Sequence, residues 1–225
     1  MSGKIIQSTQ GVTLLGGGDS LAADVADALT IAPVLVAADS GADRALDLGL
    51  MPAAVIGDFD SLSRRASASI AAGRLHPIAE QDSTDFGKCL MHVQAPFFLA
   101  LGFTGARLDH TLATLSYVAR HADQRVVVIS GHDIAFLAPP DLVLDLPLGE
   151  RLSLFPFGAA RGQSQGLRWP IHGIDFTPAG IIGTSNEVTG PLRLSLTGPV
   201  MVLVPKTHLR RVLAAIAPPR SVPGE

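Results

Sequence analysis

The segment "AVIGDFDSL" (54–62) places two carboxylates directly after an apolar run. Asp58 and Asp60 are separated by a single phenylalanine, so two like charges lie close together at this point. Two interpretations are open: the acids cap a helix and face water, or a cation lies between them. An oxygen-ligated divalent cation is the usual counter-charge for such a pair.

Other candidate site residues follow the neighbouring predicted strands, each time at the carboxyl end. They are Gly16, Gly17, Gly18, Asp39, Gln81, Thr84, Asp85, Thr104, Arg107, Asp109 and His110. Open parallel sheets bind their ligands outside the carboxyl ends of the strands. Mg²⁺ takes a few carboxylates together with phosphate oxygens. The pattern therefore predicts a magnesium and nucleotide-phosphate site at one edge of a sheet.

Each of these residues also has a structural interpretation. The three glycines are compatible with a simple strand-to-helix turn, and they are not a P-loop because its Lys and Ser/Thr are missing. Asp39 and Asp109 suit helix N-termini, where an acid is favourable. Lys88 is either a solvated lysine or a partner of Asp85, one turn earlier on a helix. The functional interpretation gains weight because helix caps need not gather at one edge of one sheet.

The order of the predicted elements divides the chain into two domains. Residues 1–138 alternate apolar strands with helical patterns, which predicts an α/β domain with a mainly parallel sheet flanked by helices. Asp19 or Ser20 is expected to cap the first helix, and Ser83 or Thr84 a later one. Residues 139–225 contain short alternating runs broken by Gly and Pro, which predicts a small all-β domain, either an antiparallel sandwich or a barrel. The apolar run "PVMVLVP" is expected to offer a surface for a second copy of the chain.

Composition excludes several classes of protein. The chain has 225 residues, and 47% of them are hydrophobic, which favours a globular protein over a disordered one. A net charge of −3 argues against a nucleic-acid partner. No apolar run reaches the ~18 residues of a membrane span, and the start lacks the apolar core of a signal peptide. With one cysteine there is no internal disulfide, and a cytoplasmic protein without membrane or nucleic-acid partners is expected.

Four segments together resemble the thiamine pyrophosphokinases. They are "AADSGADRALDLGLMPAAVIGDFDSL", "EQDSTDFGKCL", "LGFTGARLDHTLA" and "GTSNEVTG", in that order and with the family's rough spacing. That family transfers a diphosphate group from ATP to the hydroxyl of thiamine, giving thiamine diphosphate and AMP. The resemblance implies an ATP-binding α/β domain, a thiamine-binding β-sandwich domain, a requirement for Mg²⁺, and a homodimer with thiamine at the subunit interface.

The resemblance also implies roles for individual residues. Mg²⁺ and the ATP phosphates are expected at an acidic group, and four of its members, with Arg107, are the expected catalytic residues. Gln81 and Thr84 are expected to line the ATP cleft, and Lys88 and Arg107 to neutralise phosphate charge. On the thiamine side the expected residues are Ser185 and Asn186, with Trp169 either stacking on the thiazolium or serving as a core aromatic of the second domain. The acidic group consists of Asp39 and the expected metal ligands Asp58, Asp60, Asp85 and Asp109.

The chain departs from the family pattern at three positions, none of them an acid of the group. Ser40 and Ala106 stand where glycine is common, and Asp43 stands where asparagine is common. Two rival functions remain open at this point. One is a metal-dependent nucleotide phosphohydrolase that uses the same acids to activate water. The other is a non-catalytic thiamine- or nucleotide-sensing module, which would have no need of the full acidic group.

Overall fold

The computed structural model describes residues 3–80, 82–105 and 107–217. Contacts between Cα atoms divide the chain into two compact units. The first holds the residues up to Tyr117 together with Val126–Gly131, and the second holds Val118–Arg125 and the residues from His132 onwards. The predicted assignment of separate roles to 1–138 and 139–225 stays a prediction.

A parallel sheet forms the centre of the first unit. The elements up to Ile129 are β1 (Ile6–Gln7), β2 (Val12–Leu15), α1 (Ala22–Ile31), β3 (Val34–Ala38), α2 (Gly41–Asp47), β4 (Ala54–Gly57), α3 (Arg64–Ser69), a 3₁₀ turn (Ala72–Arg74), β5 (Leu75–Pro77), α4 (Asp85–His92), β6 (Val93–Gln94), β7 (Phe98–Leu101), α5 (Leu108–Arg120) and β8 (Val126–Ile129). The parallel strands follow the order β5-β4-β3-β2-β7-β8. A separate parallel pair joins β1 to β6. The predicted alternation of strands and helices is confirmed in this part of the chain.

The strands of this sheet are apolar because both of their faces are covered. Every residue of β2, β4, β7 and β8 is buried. Continuous burial of this kind is typical of parallel strands, which pack helices on both sides. The one polar side chain in β2, Thr13, donates a hydrogen bond of 2.7 Å to the carbonyl of Ala32, so its burial leaves no donor unpaired.

The helices of the first unit begin in different ways. Thr84 caps α4, where its Oγ1 accepts a hydrogen bond of 3.3 Å from the amide of Gly87, as one of the two predicted alternatives requires. The predicted cap of α1 by Asp19 or Ser20 is wrong, because that helix begins at Ala22 with Leu21 in the cap position. Among the helices of the described ranges, none is both long enough and apolar enough to cross a membrane.

The second unit is built mainly from antiparallel strands. Its elements are β9 (Asp133–Leu137), β10 (Asp141–Leu144), β11 (Arg151–Pro156), β12 (Arg161–Leu167), β13 (Gly183–Thr197), β14 (Val200–Pro205), a 3₁₀ turn (Lys206–His208) and α6 (Leu209–Ile216). The strands follow the order β9-β14-β11-β13-β10, and β12 pairs with β13 as well. With both units considered, the fold is of the mixed α/β class.

Strand β14 corrects one expectation about the second unit. It pairs with β11 on one side and with β9 on the other, and four of its six residues are buried. The apolar character of "PVMVLVP" therefore reflects a central position in the sheet. The prediction that this run offers a surface to a second copy of the chain is wrong.

Candidate active site

A cleft of about 490 Å³ lies in the first unit, at the carboxyl ends of its parallel strands. Its lining includes Gly16–Gly18 and most of the polar residues that the sequence predicts for the site. These residues are Asp39, Asp58, Asp60, Thr84, Asp85, Lys88, Thr104, Arg107 and His110. Gln81 lies outside the described residues. The strand-end rule thus located a real cleft, because the turns that follow neighbouring parallel strands meet at one edge.

Three acids come together in this cleft. Asp39, Asp58 and Asp60 each offer a carboxylate oxygen, and these oxygens lie within 4.8 Å of one another. Among the residues that the structure describes, these three form the one group with the spacing of a metal site. An all-oxygen donor set suits a hard cation such as Mg²⁺.

Asp39 is the most constrained of the three. It is 3% exposed and its φ of 44° lies in the left-handed region, which is unusual for a residue with a side chain. Its Oδ2 accepts a hydrogen bond of 3.2 Å from the amide of Ser61, whereas its Oδ1 is buried without a partner. Burial, followed by the charge of Asp85, raises the pKa of Asp39 to about 6. A buried carboxylate oxygen without a donor is the kind of atom that a cation would satisfy.

The backbone between Asp58 and Asp60 is strained. Phe59 has a φ of 65°, and its side chain packs against a buried cluster that includes Ala37 and Val55. The amide of Asp60 donates a hydrogen bond of 3.2 Å to Oδ1 of Asp58, which closes a tight turn. Left-handed backbone at a residue with a side chain costs about 1–3 kcal/mol and persists where the surroundings hold it in place. The packed ring of Phe59 supplies that constraint.

Lys88 provides a buried positive charge beside the acids. It is 1% exposed, and its Nζ donates hydrogen bonds to Oδ2 of Asp58 (3.0 Å) and to Oδ1 of Asp85 (3.1 Å). Burial alone would lower the pKa of Lys88, but its hydrogen bonds to Asp58 and Asp85 and the charges of these two acids outweigh burial and raise the pKa. The lysine therefore stays charged. Of its two interpretations, the partnership with Asp85 is confirmed and the solvated lysine is wrong.

Asp109 lies apart from the three acids. Its Oδ2 accepts a hydrogen bond of 2.6 Å from Nη2 of Arg107, and both side chains are about two-thirds exposed. The structure therefore does not bring Asp109 into the metal-spaced group that the sequence expects it to join. Arg107 lines the cleft, and its guanidinium pairs with Asp109 through both Nε and Nη2.

Glycines 16 to 18 allow the loop after β2 to approach its neighbours closely. A Cβ at Gly16 would lie 2.5 Å from the carbonyl oxygen of Gly102, and one at Gly18 would lie 2.7 Å from the same atom. At Gly17 a Cβ would collide with the hydroxyl of Ser40. None of the three has a positive φ, so close approach to neighbouring atoms, and not turn geometry, accounts for these glycines. Ser40, a departure from the family pattern, packs directly against this loop.

Asp43, another departure from the family pattern, forms hydrogen bonds with the residue that caps α3. Its carboxylate accepts a hydrogen bond of 3.0 Å from the amide of Ser63 and a second from the Ser63 hydroxyl. Ser63 in turn caps α3 by accepting 3.0 Å from the amide of Ala66. No spacing rule predicts this contact, because the two residues lie on different helices. Ala106, the third departure, lies outside the described residues.

The residues expected on the thiamine side belong to the second unit. Ser185 is exposed and has a φ of 59°, with its amide donating 3.0 Å to the Ser153 hydroxyl. Asn186 is 6% exposed, and its side-chain oxygen accepts from the amides of Trp169 (3.2 Å) and Glu187 (2.9 Å). Its Nδ2 donates 2.7 Å to the carbonyl of Trp169. Trp169 is 55% exposed, so its interpretation as a core aromatic is wrong.

Comparison with known proteins relates these features to one family. Residues 25–129 match the family model "Thiamin pyrophosphokinase, catalytic domain". Thiamine pyrophosphokinase 1 of Arabidopsis thaliana is 26% identical over 156 residues, which cover 61% of this chain and 58% of the relative. Thiamine pyrophosphokinase of Bacillus subtilis is 25% identical over 185 residues, which cover 77% of this chain and 86% of the relative. The alignment to the plant protein thus spans less than two thirds of its length.

Solved structures of thiamin pyrophosphokinases share this fold. Thiamin pyrophosphokinase from Candida albicans superposes with a TM-score of 0.74 at 16% identity, covering 91% of this chain and 94% of that one. At such low identity the likeness shows the fold alone. The family model and the relatives indicate the same family, which confirms the resemblance seen in the sequence motifs.

Proposed function

We propose that this chain, which belongs to the thiamine pyrophosphokinase family, transfers the diphosphate group of ATP to the hydroxyl of thiamine. The products are thiamine diphosphate and AMP. The observation that carries the proposal is the cleft in which Asp39, Asp58 and Asp60 converge beside the buried Lys88. Such a combination of acids and a fixed cation suits a polyphosphate with its metal better than it suits a neutral ligand.

Two observations support a Mg²⁺ site in the first unit. The donor set of Asp39, Asp58 and Asp60 consists of oxygen, and Oδ1 of Asp39 is buried without a hydrogen bond. These three acids, with Asp85 beside them, would hold the ion. When bound, Mg²⁺ neutralises phosphate charge and orients the phosphate oxygens. Asp109 is a weaker candidate ligand than the sequence suggests, because its carboxylate pairs with Arg107 at the surface.

The side chains of the cleft have separable tasks toward ATP. Lys88 holds a buried positive charge beside Asp58, and Arg107 supplies a second positive charge in the lining of the cleft. Thr84, at the start of α4, and Gln81 are proposed to line the nucleotide. The hydroxyl oxygen of thiamine attacks the β-phosphorus and gives its proton to a carboxylate of the cleft. The bond between that phosphorus and the α,β-bridging oxygen breaks, and AMP carries away the electron pair. This chemistry depends on positioning and charge stabilisation more than on covalent help.

Thiamine recognition is proposed for the second unit. Ser185 presents a hydroxyl, and Trp169 presents an indole ring at the surface. Under this proposal, residues 1–138 form the ATP-binding domain, and residues 139–225 form a small β-sandwich domain for thiamine. We also propose a homodimer, as the family resemblance implies. A cytoplasmic location, without nucleic-acid or membrane partners, stays a prediction from the sequence.

An AMP-release assay with thiamine, ATP and Mg²⁺ tests the proposed reaction. AMP should form only when all three are present, and thiamine diphosphate should form in equal amount. Release of AMP without thiamine would instead identify a nucleotide phosphohydrolase. Binding of thiamine or ATP without any turnover would identify a sensing module. Sedimentation of the active protein tests the homodimer, and a monomer at every active concentration would contradict it.

A further inference from the structure

We infer that Asp43 is a positioning residue for the loop 58–63, the segment that carries Asp58 and Asp60. Asp43 lies outside the lining of the cleft and is bound to the far end of this loop at Ser63. It therefore acts on the metal site through the loop, without touching the ion or a substrate. The inference rests on the proposed function, because the metal site belongs to it.

Two acids hold the loop 58–63 at two points. The amide of Ser61 donates 3.2 Å to Oδ2 of Asp39, and the amide of Ser63 donates 3.0 Å to Oδ2 of Asp43. The hydroxyl of Ser63 donates to the other oxygen of Asp43. Asp39 precedes α2 and Asp43 lies in the first turn of that helix, so both anchors come from one short segment. The second half of the loop is thus fixed to α2.

Phe59 connects this anchor to the metal-binding acids. Its ring packs against a buried cluster to which α2 contributes Ala42 and α3 contributes Ala66. The hydrogen bonds between Asp43 and Ser63 join the same two helices, because Ser63 is the residue that caps α3. They therefore help to fix the apolar surface on which the ring rests.

The turn at Phe59 depends on such support. Its φ of 65° is costly for a residue with a side chain and persists only where the surroundings hold it. Phe59 separates Asp58 from Asp60, so its backbone angles determine how far apart the two carboxylates lie. The hydroxyl of Ser61 donates 2.8 Å to Oδ1 of Asp60, which ties the second acid to the loop as well. Loss of the Asp43 carboxylate should thus disturb the metal site without removing a ligand.

Binding of Mn²⁺, a paramagnetic substitute for Mg²⁺, tests the inference without turnover. The EPR signal of free Mn²⁺ gives the bound fraction, measured with and without ADP. Asp43→Ala should raise the apparent Kd of Mn²⁺ about tenfold, the lower end of the range for residues that support metal ligands. Asp43→Asn should recover most of this loss, because its amide keeps an acceptor oxygen for Ser63.

The Mg²⁺ dependence of AMP release gives a second signature. Asp43→Ala should need about tenfold more Mg²⁺ for the half-maximal rate, whereas kcat at saturating Mg²⁺ should stay close to that of wild type. Loss of a group that stabilises the transition state would instead lower kcat at every Mg²⁺ concentration. Ser63→Ala weakens the same contact from the other side. The double variant should therefore lose less Mn²⁺ affinity than the product of the two single losses.

Two controls separate positioning from general destabilisation. Asp47→Ala removes the other acid that pairs with Arg65, one turn further along α2, and should leave the Mn²⁺ affinity unchanged. Thr13→Val removes a buried hydrogen bond from β2 to the carbonyl of Ala32. This variant should melt at a lower temperature than wild type and still bind Mn²⁺ with the same affinity.

The outcomes separate the inference from the proposed function. Unchanged Mn²⁺ affinity and Mg²⁺ requirement in Asp43→Ala would overturn the positioning role, and so would an equal loss of affinity in Thr13→Val. A wild-type protein that binds Mn²⁺ but releases no AMP would overturn the proposed reaction, while the Mn²⁺ affinities would still decide the role of Asp43. A wild-type protein that binds no Mn²⁺, with or without ADP, would overturn the metal site and the positioning role together.

Discussion

Asp58 and Lys88 form an ion pair inside the cleft, with Oδ2 of the aspartate 3.0 Å from Nζ of a lysine that is 1% exposed. The other oxygen of Asp58 accepts the hydrogen bond from the amide of Asp60. Asp58 therefore has a structural task as well as a proposed metal-binding one. Asp60 is exposed and has no comparable partner among the cations of the described residues, so the two acids of the "DFD" segment differ in what they do for folding.

Substitution should separate these tasks. Asp60→Asn should leave the free energy of unfolding nearly unchanged in EDTA, because the residue is exposed. Asp58→Asn should lower it by about 1–2 kcal/mol, the scale of one hydrogen bond to a charged group, because Lys88 keeps its ion pair with Asp85. Both variants should reduce turnover by about 10²–10³-fold if the acids stabilise phosphate charge. Urea denaturation and AMP release under limiting Mg²⁺ measure these effects.

The control for that pair is Asp47→Asn, which removes an exposed acid that pairs with Arg65 away from the cleft. It should change unfolding by less than about 1 kcal/mol, as for most surface ion pairs, and leave turnover intact. Activity at the wild-type level in both Asp58→Asn and Asp60→Asn would contradict the metal site.

The raised pKa of Asp39 predicts a pH dependence of stability. Its pKa is about 6 in the folded protein against an ordinary value of 3.8. As pH rises, the folded state therefore releases the carboxyl proton of Asp39 at a higher pH than the unfolded state does. The metal-free protein should therefore lose about 3 kcal/mol of unfolding free energy as pH rises from about 4 to about 6, with no further loss above. Asp39→Asn should lack this loss. Denaturation in EDTA across this pH range measures the difference between the two proteins.

Mg²⁺ should reverse the same effect. A cation that binds ionised Asp39 stabilises the folded state by mass action, and it should do so more strongly above pH 6 than at pH 5. Asp24→Asn, which changes an acid of α1 outside the cleft lining, is the control. An Asp39→Asn variant with the same pH slope as wild type would contradict the assignment of the raised pKa to Asp39.

Ser40 and Gly17 should be coupled through space. A methyl group at Gly17 would collide with the Ser40 hydroxyl, so Gly17→Ala should destabilise the protein by about 1–3 kcal/mol, the usual scale of overpacking. Ser40→Gly should restore most of that loss in the double variant. Thermal melts and the KM for ATP provide the measurements.

Gly18→Ala serves as the contrast for this pair. Its added methyl group would lie 2.7 Å from the carbonyl oxygen of Gly102, which is a main-chain atom. A substitution at residue 40 cannot remove that contact. Ser40→Gly should therefore fail to rescue Gly18→Ala. Equal rescue of both alanine variants would show that the effect of Ser40→Gly is a general one.

The sequence located the cleft because one rule sufficed for it: buried parallel strands end at a common edge, so the polar residues that follow them converge. The rule could not distinguish Asp39 and Asp58 from Asp109, since spacing along the chain does not show that Arg107 pairs with Asp109 at the surface. The same limit applies to "PVMVLVP", because a central strand and an exposed apolar surface produce the same run of apolar residues in the sequence. Positive φ at Asp39 and Phe59 depends on tertiary packing and has no local signal.

The division of substrate contacts between the two units gives the last prediction. Ser185 presents an exposed hydroxyl in the second unit, whereas Arg107 lines the cleft of the first. Ser185→Ala should raise the KM for thiamine by about tenfold at most, the scale of one hydrogen bond, and leave the KM for ATP unchanged. Arg107→Ala should act mainly on kcat, because a phosphate ligand matters most as charge shifts in the transition state. Steady-state kinetics with each substrate varied in turn distinguish the two patterns.

Controls for these variants come from exposed residues of the same type. Thr189→Ala removes another exposed hydroxyl of β13, and Arg65→Ala removes an arginine that pairs with Asp47 outside the cleft lining. Neither should change the kinetic constants. Because Ser185 has a φ of 59°, the melting temperature of Ser185→Ala must be checked against wild type before its kinetics are interpreted. An unchanged thiamine KM in a Ser185→Ala protein of normal stability would show that this hydroxyl does not contact thiamine. A loss in the Arg107→Ala variant confined to the thiamine KM would show that its guanidinium serves thiamine and not the phosphates.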